Sequence, residues 1–256
     1  MKKTVFITGA SSGFGKACAE LFAKGDYRLI LNARRLDRLQ NLKADLENEY
    51  NAEVYLLDFD VRNNDAVVKS IQSLPTNWRS VNILINNAGL AVGRDLFQDA
   101  ELDDWERMID TNIKGLLYVS KAIIPWMIEQ GGGHILNVDS LAGHEVYPMG
   151  NVYCATKYAV KALSKGMRID LLPHKIKVSN ISPGLAETEF SVVRFKGDTT
   201  KADDVYSGFT PLSAMDVAEI IYFTATRPAH VNIEEVTILP TAQSDSRTVL
   251  KETNSN

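Results

Sequence analysis

Residues 4–15 read TVFITGASSGFG, a short apolar run that leads directly into a glycine-rich turn. Glycine allows the backbone to turn tightly and to approach a ligand closely. A helix that begins after such a turn directs its free N–H groups and the positive end of its dipole toward an anion. Because this turn lies between the first strand and the first helix, it predicts a pyrophosphate site at the edge of a sheet. A plain turn is the alternative, since Gly-Ser clusters also form those.

The remaining sequence continues the alternation of strand-like and helix-like segments. Apolar runs of strand length lie at 4–8, 28–32, 53–58, 81–87, 134–138, 175–182 and 235–239. Amphipathic patterns of helix length lie near 14–24, 36–50, 63–73, 101–130, 151–172 and 215–226. Strands that are apolar on both faces need helices on both sides. The sequence therefore predicts an α/β fold: a single Rossmann-type doubly wound parallel sheet of about seven strands, with helices on both faces.

The chain shows no sign of division into separate units. No linker rich in Pro, Gly or Ser interrupts it, so we expect one domain over 1–256. The segment at about 185–210 is a long mixed connection after the sixth strand, and such connections hold ligands in sheets of this kind. The polar tail at about 240–256 ends KETNSN, and we expect its last residues to fray.

Composition excludes several classes of protein. The 28 basic and 32 acidic residues give a net charge of −4, which provides no basic excess for binding nucleic acid. No apolar run approaches the roughly 20 residues of a membrane span, and the run after MKK is too short for a secretory signal. Two cysteines are too few for a disulfide framework. We therefore expect a cytoplasmic protein without nucleic-acid or membrane partners.

The end of the second strand predicts the choice of nicotinamide cofactor. Arg34 and Arg35 lie about twenty residues past the glycine turn, where a carboxylate would bind the ribose of NAD. Arginine instead offers a planar fork to the 2′-phosphate of NADP. Arg34 is the stronger candidate, because Arg35 can simply begin a solvated helix face with Arg38. After the third strand, Asp60 with Val61 suits the adenine amino group, and a helix N-cap is the alternative for Asp60.

Two residues near the start of the 151–172 helix predict acid–base chemistry. Tyr153 and Lys157 are four positions apart, so they lie on one helical face. A phenol titrates near pH ~10, and a nearby cation lowers its pKa toward a range useful for general acid–base catalysis. Ser140 follows the fifth strand, where its hydroxyl can hold a substrate oxygen beside the tyrosine. Taken alone, the Tyr–Lys spacing is common and also fits a surface pair.

Taken together, these segments resemble the short-chain dehydrogenases/reductases over nearly the whole chain. The matching pieces, in the family's order, are TGASSGFG (8–15), DV (60–61), NNAG (86–89), the DTN ending at Asn112, Ser140, YCATK (153–157) and PG (183–184). The resemblance implies that Tyr153 is the catalytic acid/base and that Ser140 polarises the substrate oxygen. It also implies that Lys157 lowers the tyrosine's pKa and binds the nicotinamide ribose, and that Asn112 holds a water in the proton relay.

The same resemblance implies which residues line the cofactor. These are Gly9, Ser11, Ser12, Gly13, Phe14, Gly15, Arg34, Arg35, Asp60, Val61, Asn87, Ala88, Gly89, Tyr153, Lys157, Pro183, Gly184, Leu185 and Thr188. Two positions depart from the family's usual pattern. Phe14 stands where isoleucine is commoner, and Asp139 precedes Ser140 where serine or glycine is usual. Neither departure removes a catalytic group.

The long connection resembles one subgroup of the family. Residues 189–198, EFSVVRFKGD, are similar to the TEFSxVRxxG loop of the NADP-dependent 3-hydroxy acid dehydrogenases, as are ARRLDRL (33–39) and PAHVNI (228–233). That subgroup includes serine and allo-threonine dehydrogenases and reductases of malonic semialdehyde and sulfoacetaldehyde. A small anionic hydroxy acid or semialdehyde is thus the implied substrate, and Arg194 can bind its anion through two parallel hydrogen bonds.

Other residues near the expected site have competing interpretations. Lys196 ranks second to Arg194 as the anion ligand, and Tyr147 is a possible substrate contact. The alternative for Arg194 is a lid residue paired with Glu187, Glu189 or Asp198. His134 and His144 are interpreted as loop or surface histidines with no metal bound, and Cys154 as a small apolar group in the core.

The sequence thus predicts an NADP(H)-dependent oxidoreductase that interconverts the β-hydroxyl of small 3-hydroxy acids and the matching aldehyde or ketone. The alternatives are a reductase of a sulfonated or bulkier carbonyl substrate and a non-catalytic, NADP-sensing binding protein. The apolar faces of 101–130 and 151–172 are wide for a monomer. Family members pair such helices, which implies a homo-oligomer, a tetramer by resemblance; burial within one subunit is the alternative.

Overall fold

The computed structural model describes residues 2–252 of the chain. Within that range the strands form one parallel sheet, in the order β3-β2-β1-β4-β5-β6-β7. The strands are β1 (Thr4–Thr8), β2 (Arg28–Asn32), β3 (Val54–Leu57), β4 (Ile83–Asn86), β5 (Gly133–Val138), β6 (Ile176–Pro183) and β7 (Glu235–Ile238). The predicted doubly wound α/β fold is confirmed, and each strand lies within two residues of its predicted bounds.

Helices connect successive strands. In chain order they are α1 (Gly13–Lys24), α2 (Leu36–Tyr50), α3 (Asn64–Gln72), α4 (Leu102–Ile109), α5 (Leu116–Glu129), α6 (Asn151–Leu171), α7 (Glu189–Arg194), α8 (Thr199–Asp204) and α9 (Ala214–Ala225). The helix predicted over 101–130 is divided, because a π-helical turn at Asp110–Gly115 separates α4 from α5. The mixed connection at 185–210 contains the short helices α7 and α8.

The apolar core lies on both faces of the sheet, because successive side chains of a strand point to opposite sides. Val5 and Ile7 of β1 belong to a cluster that includes Phe22 of α1. Phe6, between them, belongs to the opposite cluster, which includes Ile123 of α5. All five side chains are fully buried. Burial on both faces explains why the strands read as continuous apolar runs.

The order of the strands determines where a ligand can bind. From β1 the chain moves outward through β2 and β3, and it then returns to pair β4 with the other edge of β1. In open parallel sheets a crevice forms at such a reversal, outside the carboxyl ends of the strands. The glycine turn follows β1 directly, so the fold places it in this crevice.

The structure corrects one prediction about histidine. His134 is not a loop or surface residue: it lies in β5, it is 3% exposed, and its Nε2 is 2.8 Å from the Ser179 hydroxyl. Burial, with a smaller contribution from Lys177, lowers the pKa of His134 to about 3. His144 does lie in a loop and is partly buried. Cys154 is buried, as predicted.

The tail folds back over the connection that carries α7 and α8. The backbone N–H of Leu250 donates to the Ala242 carbonyl, and that of Glu252 donates to the Gly208 carbonyl. The fraying expected at the end of the chain concerns residues 253–256, which lie outside the described range. In the described residues, the helices are all too short or too polar to cross a membrane.

Candidate functional site

A cavity of about 1240 Å³ opens at the carboxyl ends of the central strands. It gathers most of the residues singled out from the sequence, which come from distant parts of the chain. The predicted residues lining it are Gly9, Ser11, Ser12, Gly13, Phe14, Arg34, Arg35, Asp60, Val61, Asn87, Ala88, Gly89, Ser140, Tyr147, Tyr153, Lys157, Pro183, Gly184, Leu185, Thr188 and Arg194. Gly15 and Asn112 are not part of the lining. Gly15 packs against the backbone of Gly9, and Asn112 bonds the backbone of Leu90.

The glycine turn has a backbone that only glycine adopts easily. Gly9 and Gly13 have φ angles of +67° and +51°, in the left-handed region. A Cβ atom at Gly15 would lie 2.4 Å from the carbonyl oxygen of Gly9. The residue before α1, Ser12, makes no capping hydrogen bond with its side chain within the described range. The first N–H groups of α1 are therefore available to an anion.

The two arginines after β2 occupy different places. Arg35 donates from Nη2 to the hydroxyls of Ser11 and Ser12, at 3.1 and 3.0 Å, so its guanidinium lies on the glycine turn. Arg34 is 61% exposed at its side chain and lies 3.8 Å from the Asp60 carboxylate. Arg35 rather than Arg34 therefore contacts the turn, whereas the sequence favoured Arg34 as the 2′-phosphate ligand.

Asp60 lies at the rim of the cavity. Its carboxylate accepts a bidentate pair of hydrogen bonds from Arg62, from Nε to Oδ1 at 3.1 Å and from Nη2 to Oδ2 at 2.7 Å. Burial alone would raise the pKa of Asp60, but the bonds from Arg62 outweigh it and hold that pKa below its usual range. The N-cap of α3 is Asn63, whose side chain accepts from the N–H of Ala66. The N-cap alternative considered for Asp60 is therefore wrong.

Tyr153 and Lys157 lie one turn apart at the start of α6, and both side chains are buried. Lys157 donates from Nζ to the carbonyl of Val138 at 2.9 Å, and the same Nζ is 5.9 Å from the centre of the Tyr153 ring. Ser140 follows β5, and its Oγ accepts from the N–H of Ala142 at 3.1 Å. Three predicted catalytic residues therefore meet where β5 ends and α6 begins.

Burial determines the protonation of these groups. It raises the pKa of Tyr153, and the nearby Ser140 hydroxyl and the charge of Arg194 offset only part of that rise. Burial lowers the pKa of Lys157, and the charge of Asp139 opposes that change. The phenol is therefore protonated at neutral pH, in the form that donates a proton.

Asn112 lies in the π-helical turn between α4 and α5. Its Oδ1 accepts from the N–H of Leu90, and its Nδ2 donates to the Leu90 carbonyl and to the Thr156 hydroxyl, at 2.8, 2.8 and 3.0 Å. These bonds use most of the capacity of the amide. A single π turn inside a helix is frequently found at functional sites. Asn112 thus attaches the π turn to the loop after β4 and to α6.

Asp139 belongs to a polar network behind Ser140. Its Oδ2 accepts from Asn180 at 2.8 Å, while its Oδ1 is buried without a hydrogen-bond partner in the described residues. Burial raises the pKa of Asp139, and the charge of Lys157 partly opposes this. His144 Nε2 lies 3.1 Å from a carboxylate oxygen of Glu235, whose charge the neighbouring Lys161 ammonium compensates at 3.3 Å.

The helix α7 covers the substrate end of the cavity. Arg194 donates from Nη2 to the Tyr147 hydroxyl at 3.0 Å, and its guanidinium lies 5.7 Å from the centre of the Tyr153 ring. Phe190 lies against the same ring, with centres 5.7 Å apart. Lys196, the second candidate, instead forms an ion pair with the buried Asp104, with Nζ and Oδ2 2.7 Å apart.

The acidic partners that the sequence offered to Arg194 are engaged elsewhere or exposed. Glu189 forms ion pairs with Arg35 and Arg38, and Asp198 pairs with Lys201. The alternative interpretation of Arg194 as an ion-paired lid residue is therefore not supported. Its side-chain Nε is buried without a hydrogen-bond partner in the described range.

Some residues of the cavity were not predicted. Gln243, from the tail, accepts from the N–H of Leu185 at 2.8 Å and so fixes the loop after β6. Tyr206 lies in the mixed connection at 185–210, after α8. Its hydroxyl forms a hydrogen bond with the Ser191 hydroxyl at 2.6 Å and donates to the Ala186 carbonyl. Glu189 joins α7 to the arginines of α2. Nothing local in the sequence signals these contacts, because each joins segments that are far apart along the chain.

A glycine turn after β1 and a buried tyrosine–lysine pair beside a serine, all at the carboxyl edge of a parallel sheet, define a nucleotide-dependent oxidoreductase. The family model described as short chain dehydrogenase matches residues 3–198. The chain belongs to this family of oxidoreductases, and the resemblance seen in the sequence is confirmed.

Individual relatives are similar over almost the full chain. The NADP-dependent 3-hydroxy acid dehydrogenase YdfG of Salmonella typhi is 46% identical over 94% of this chain and 96% of its own length. Sulfoacetaldehyde reductase 2 of Chromohalobacter salexigens is 45% identical over 95% and 96%. Among solved structures, the closed form of serine dehydrogenase complexed with NADP⁺ has a TM-score of 0.90 at 42% identity, covering 98% of this chain and 100% of that one.

Proposed function

We propose that the protein is an NADP(H)-dependent oxidoreductase that interconverts the β-hydroxyl of a small 3-hydroxy acid and the matching aldehyde or ketone. The observation that carries this proposal is the guanidinium of Arg194 next to the ring of Tyr153, inside the cavity. A cation beside the proton donor suits a substrate with an anion close to its reacting carbon. The names of the relatives support the same chemistry.

The residues of the crevice fit NADP(H). The left-handed glycines leave room for a pyrophosphate, and the free N–H groups of α1 and the guanidinium of Arg35 provide positive charge there. A Cβ atom at Gly89 would lie 3.3 Å from Asn112 Oδ1, a tight contact, so glycine suits this position between Asn112 and Lys157. When bound, the nicotinamide exchanges a hydride with the substrate carbon.

We assign the individual residues as follows. Arg35, with Arg34 at the rim, binds the 2′-phosphate, and Asp60 with Val61 binds the adenine. The pyrophosphate lies on the glycine turn. The ribose and nicotinamide contact the residues at the ends of β4, α6 and β6, which are Asn87, Ala88, Gly89, Tyr153, Lys157, Pro183, Gly184, Leu185 and Thr188.

The proton moves through the side chains at the start of α6. Ser140 holds the substrate oxygen, and in reduction the Tyr153 hydroxyl donates its proton to it. The positive charge of Lys157 favours the phenolate that remains, and this lowers the pKa of Tyr153 in the loaded enzyme. Because the Asn112 side chain is already bonded to Leu90 and Thr156, we assign the relay water to the backbone of the π turn.

Arg194 and Tyr147 position the substrate anion. A guanidinium binds a carboxylate through two parallel hydrogen bonds, which fix both position and orientation. Orientation matters because the reacting carbon must stay within about 3–3.5 Å of its partner. Tyr147 holds Arg194 at 3.0 Å before substrate arrives.

A sulfonate presents similar oxygens to Arg194, so the sulfoacetaldehyde reductases among the relatives suggest a second candidate substrate class. Initial rates with NADP⁺ against serine, allo-threonine, 3-hydroxypropionate, 3-hydroxybutyrate and isethionate separate the two. We expect the highest kcat/KM with one of the carboxylates. A clear preference for isethionate would favour the sulfonate, and turnover of bulky neutral secondary alcohols alone, assayed with NADP⁺ in parallel, would contradict both. No NADP-linked turnover with any of these substrates would support a non-catalytic binding protein.

We also propose that the chain acts as a single domain, in the cytoplasm, within a homo-oligomer, with a tetramer as the form implied by the resemblance. Several large apolar side chains on α4 and at the end of α6 support assembly: Leu102, Ile169 and Leu172 are 67%, 72% and 73% exposed. Light scattering after size-exclusion chromatography tests the assembly. A monomeric mass at micromolar concentration would contradict it.

A further inference from the structure

Glu189 connects the helix that covers the substrate to the arginines at the cofactor end of the cavity. It is the first residue of α7, directly after the N-cap Thr188, and Arg194 ends the same helix. Its carboxylate lies 3.0 Å from Arg35 Nη1 and 2.5 Å from Arg38 Nη1. A single carboxylate thus holds two guanidinium groups from the beginning of α2.

The first of these guanidinium groups also contacts the glycine turn. Arg35 donates to the hydroxyls of Ser11 and Ser12 while it bonds Glu189. The base of α7 is close to the same turn, since a Cβ atom at Gly13 would lie 3.5 Å from the Cβ of Thr188. The Glu189 carboxylate is therefore placed beside the position where the proposed function puts the 2′-phosphate.

A carboxylate and a phosphate use the same donors of an arginine fork. Glu189 is anionic at neutral pH: burial works to raise its pKa, but the hydrogen bonds from Arg38 and Arg35 outweigh burial and lower it. Two anions that bind the same Arg35 guanidinium repel each other and compete for its N–H groups. The binding of one therefore weakens the bonds of the other.

We propose that Glu189 is a cofactor-specificity residue, an internal anion that pairs with Arg35 and competes with the 2′-phosphate for this guanidinium. This inference rests on the proposed assignment of Arg35 to the 2′-phosphate. When NADP(H) binds, its 2′-phosphate takes Arg35, and the ion pair between Glu189 and Arg35 at the base of α7 is weakened or broken. Binding of the 2′-phosphate at the adenosine end of the cavity therefore changes the ion pairs at the base of α7, the helix that ends at Arg194.

Two substitutions in the same segment test the competition. Glu189→Gln removes the charge while keeping the size of the side chain. Glu187→Gln removes a charge two residues away, and Glu187 is exposed and forms no ion pair with a described residue. Dissociation constants are measured by calorimetry for NADP⁺, NAD⁺ and adenosine 2′,5′-bisphosphate. The bisphosphate carries the 2′-phosphate but lacks the nicotinamide, so it does not reach the substrate end.

We expect Glu189→Gln to bind NADP⁺ and the bisphosphate about three- to tenfold more tightly than the wild type, a modest gain because the ion pairs are partly exposed and screened. Binding of NAD⁺ should change less than about twofold, and Glu187→Gln should match the wild type with all ligands. The gain should shrink as salt is added. Glu189→Ala, which offers no side-chain acceptor, should show at least the same gain.

The failure of this inference and that of the proposed function give different results. If the wild type binds NADP⁺ no better than NAD⁺, the assignment of the 2′-phosphate site is wrong. If the wild type prefers NADP⁺ but Glu189→Gln and Glu189→Ala bind it equally or more weakly, competition by Glu189 is overturned. Thermal melting of each variant confirms that the binding comparison is made on folded protein.

Discussion

Arg194 donates a hydrogen bond to the hydroxyl of Tyr147 across 3.0 Å, which joins the last residue of α7 to the loop that precedes α6. The Arg194 guanidinium also lies 5.3 Å from the centre of the Tyr147 ring, within the range of a cation–π contact. The bond holds the Arg194 guanidinium 5.7 Å from the centre of the ring of Tyr153, the proposed proton donor. Substrate selection can therefore be tested at this pair.

Replacing Arg194 should affect anionic substrates selectively. In Arg194→Ala the substrate carboxylate loses its bidentate partner, and we expect KM for the preferred hydroxy acid to rise by about 10²–10³-fold, as loss of a charge-assisted pair of bonds implies. Initial-rate kinetics measure the change. Arg194→Lys serves as the control, because it keeps the charge without the planar fork. Its KM should lie between those of the wild type and Arg194→Ala. Equal losses for a neutral alcohol substrate would show that Arg194 does not bind the anion.

The arginines after β2 should differ in importance, in the order that the structure gives. Arg35 lies on the Ser11 and Ser12 hydroxyls, whereas Arg34 lies in solvent near Asp60. We expect Arg35→Ala to raise the dissociation constant of NADP⁺ by about tenfold or more and Arg34→Ala by about twofold to fivefold, because Arg35 is half-buried on the turn and Arg34 is exposed. Arg34→Asp should also shift preference toward NAD⁺.

Fluorescence titration with NADPH and NADH gives both constants for each variant. The binding of NADH serves as the internal control, since it lacks the 2′-phosphate and should change little in either alanine variant. A larger loss in Arg34→Ala than in Arg35→Ala would restore the ranking based on sequence. A wild type that already prefers NADH would contradict the arginine argument altogether.

The strands and the catalytic residues could be predicted because their signals are local. Residues such as Val5, Phe6 and Ile7 lie on both buried faces of a parallel sheet, so the run is apolar throughout. The four-residue spacing of Tyr153 and Lys157 is likewise contained in one helical turn. Patterns of this kind need no knowledge of the distant chain.

The remaining features depend on contacts that a sequence pattern does not encode. The π turn at Asp110–Gly115 has helical backbone on both sides and contains no proline, so 101–130 reads as one helix in the sequence. Arg34 and Arg35 are adjacent, and which of them contacts the turn depends on how β2 leads into α2. His134 carries a polar side chain, which in the sequence indicates a surface position. It can be buried because the Ser179 hydroxyl of the neighbouring strand β6 provides a hydrogen-bond partner.

Burial of His134 should make stability depend on pH in acid. Its pKa is lowered from 6.5 to about 3 in the folded protein, so below pH 6.5 the unfolded chain takes up a proton that the folded chain does not. The free energy of unfolding should therefore fall as the pH drops from about 6.5 toward 3, by up to about 1.4 kcal/mol per pH unit from this group. Denaturant unfolding across this range measures the slope.

His134→Gln removes the titrating group and keeps a polar atom for Ser179, so its unfolding free energy should fall less steeply over the same range. The exposed His230 provides the matched control, and His230→Gln should keep the slope of the wild type. The comparison of slopes, rather than of absolute stabilities, isolates the histidine from the carboxylates that also titrate in acid. Identical slopes in His134→Gln and the wild type would show that His134 is not buried in the neutral form.

Removal of the Tyr153 hydroxyl should separate catalysis from cofactor binding. The ring packs against Phe190 and lies near Lys157, and Tyr153→Phe keeps this packing while it deletes the proton that Tyr153 donates. We expect turnover to fall by about 10²–10⁴-fold, the usual contribution of a positioned acid/base, with the NADPH dissociation constant within about twofold of the wild type. Tyr147→Phe is the matched control: it loses a partly buried phenol that donates no proton to the reaction, so its main effect should be a higher KM through looser positioning of Arg194. Near-normal turnover in Tyr153→Phe would exclude this tyrosine as the acid/base, and an equal loss of kcat in both variants would indicate that the cavity tolerates neither change structurally.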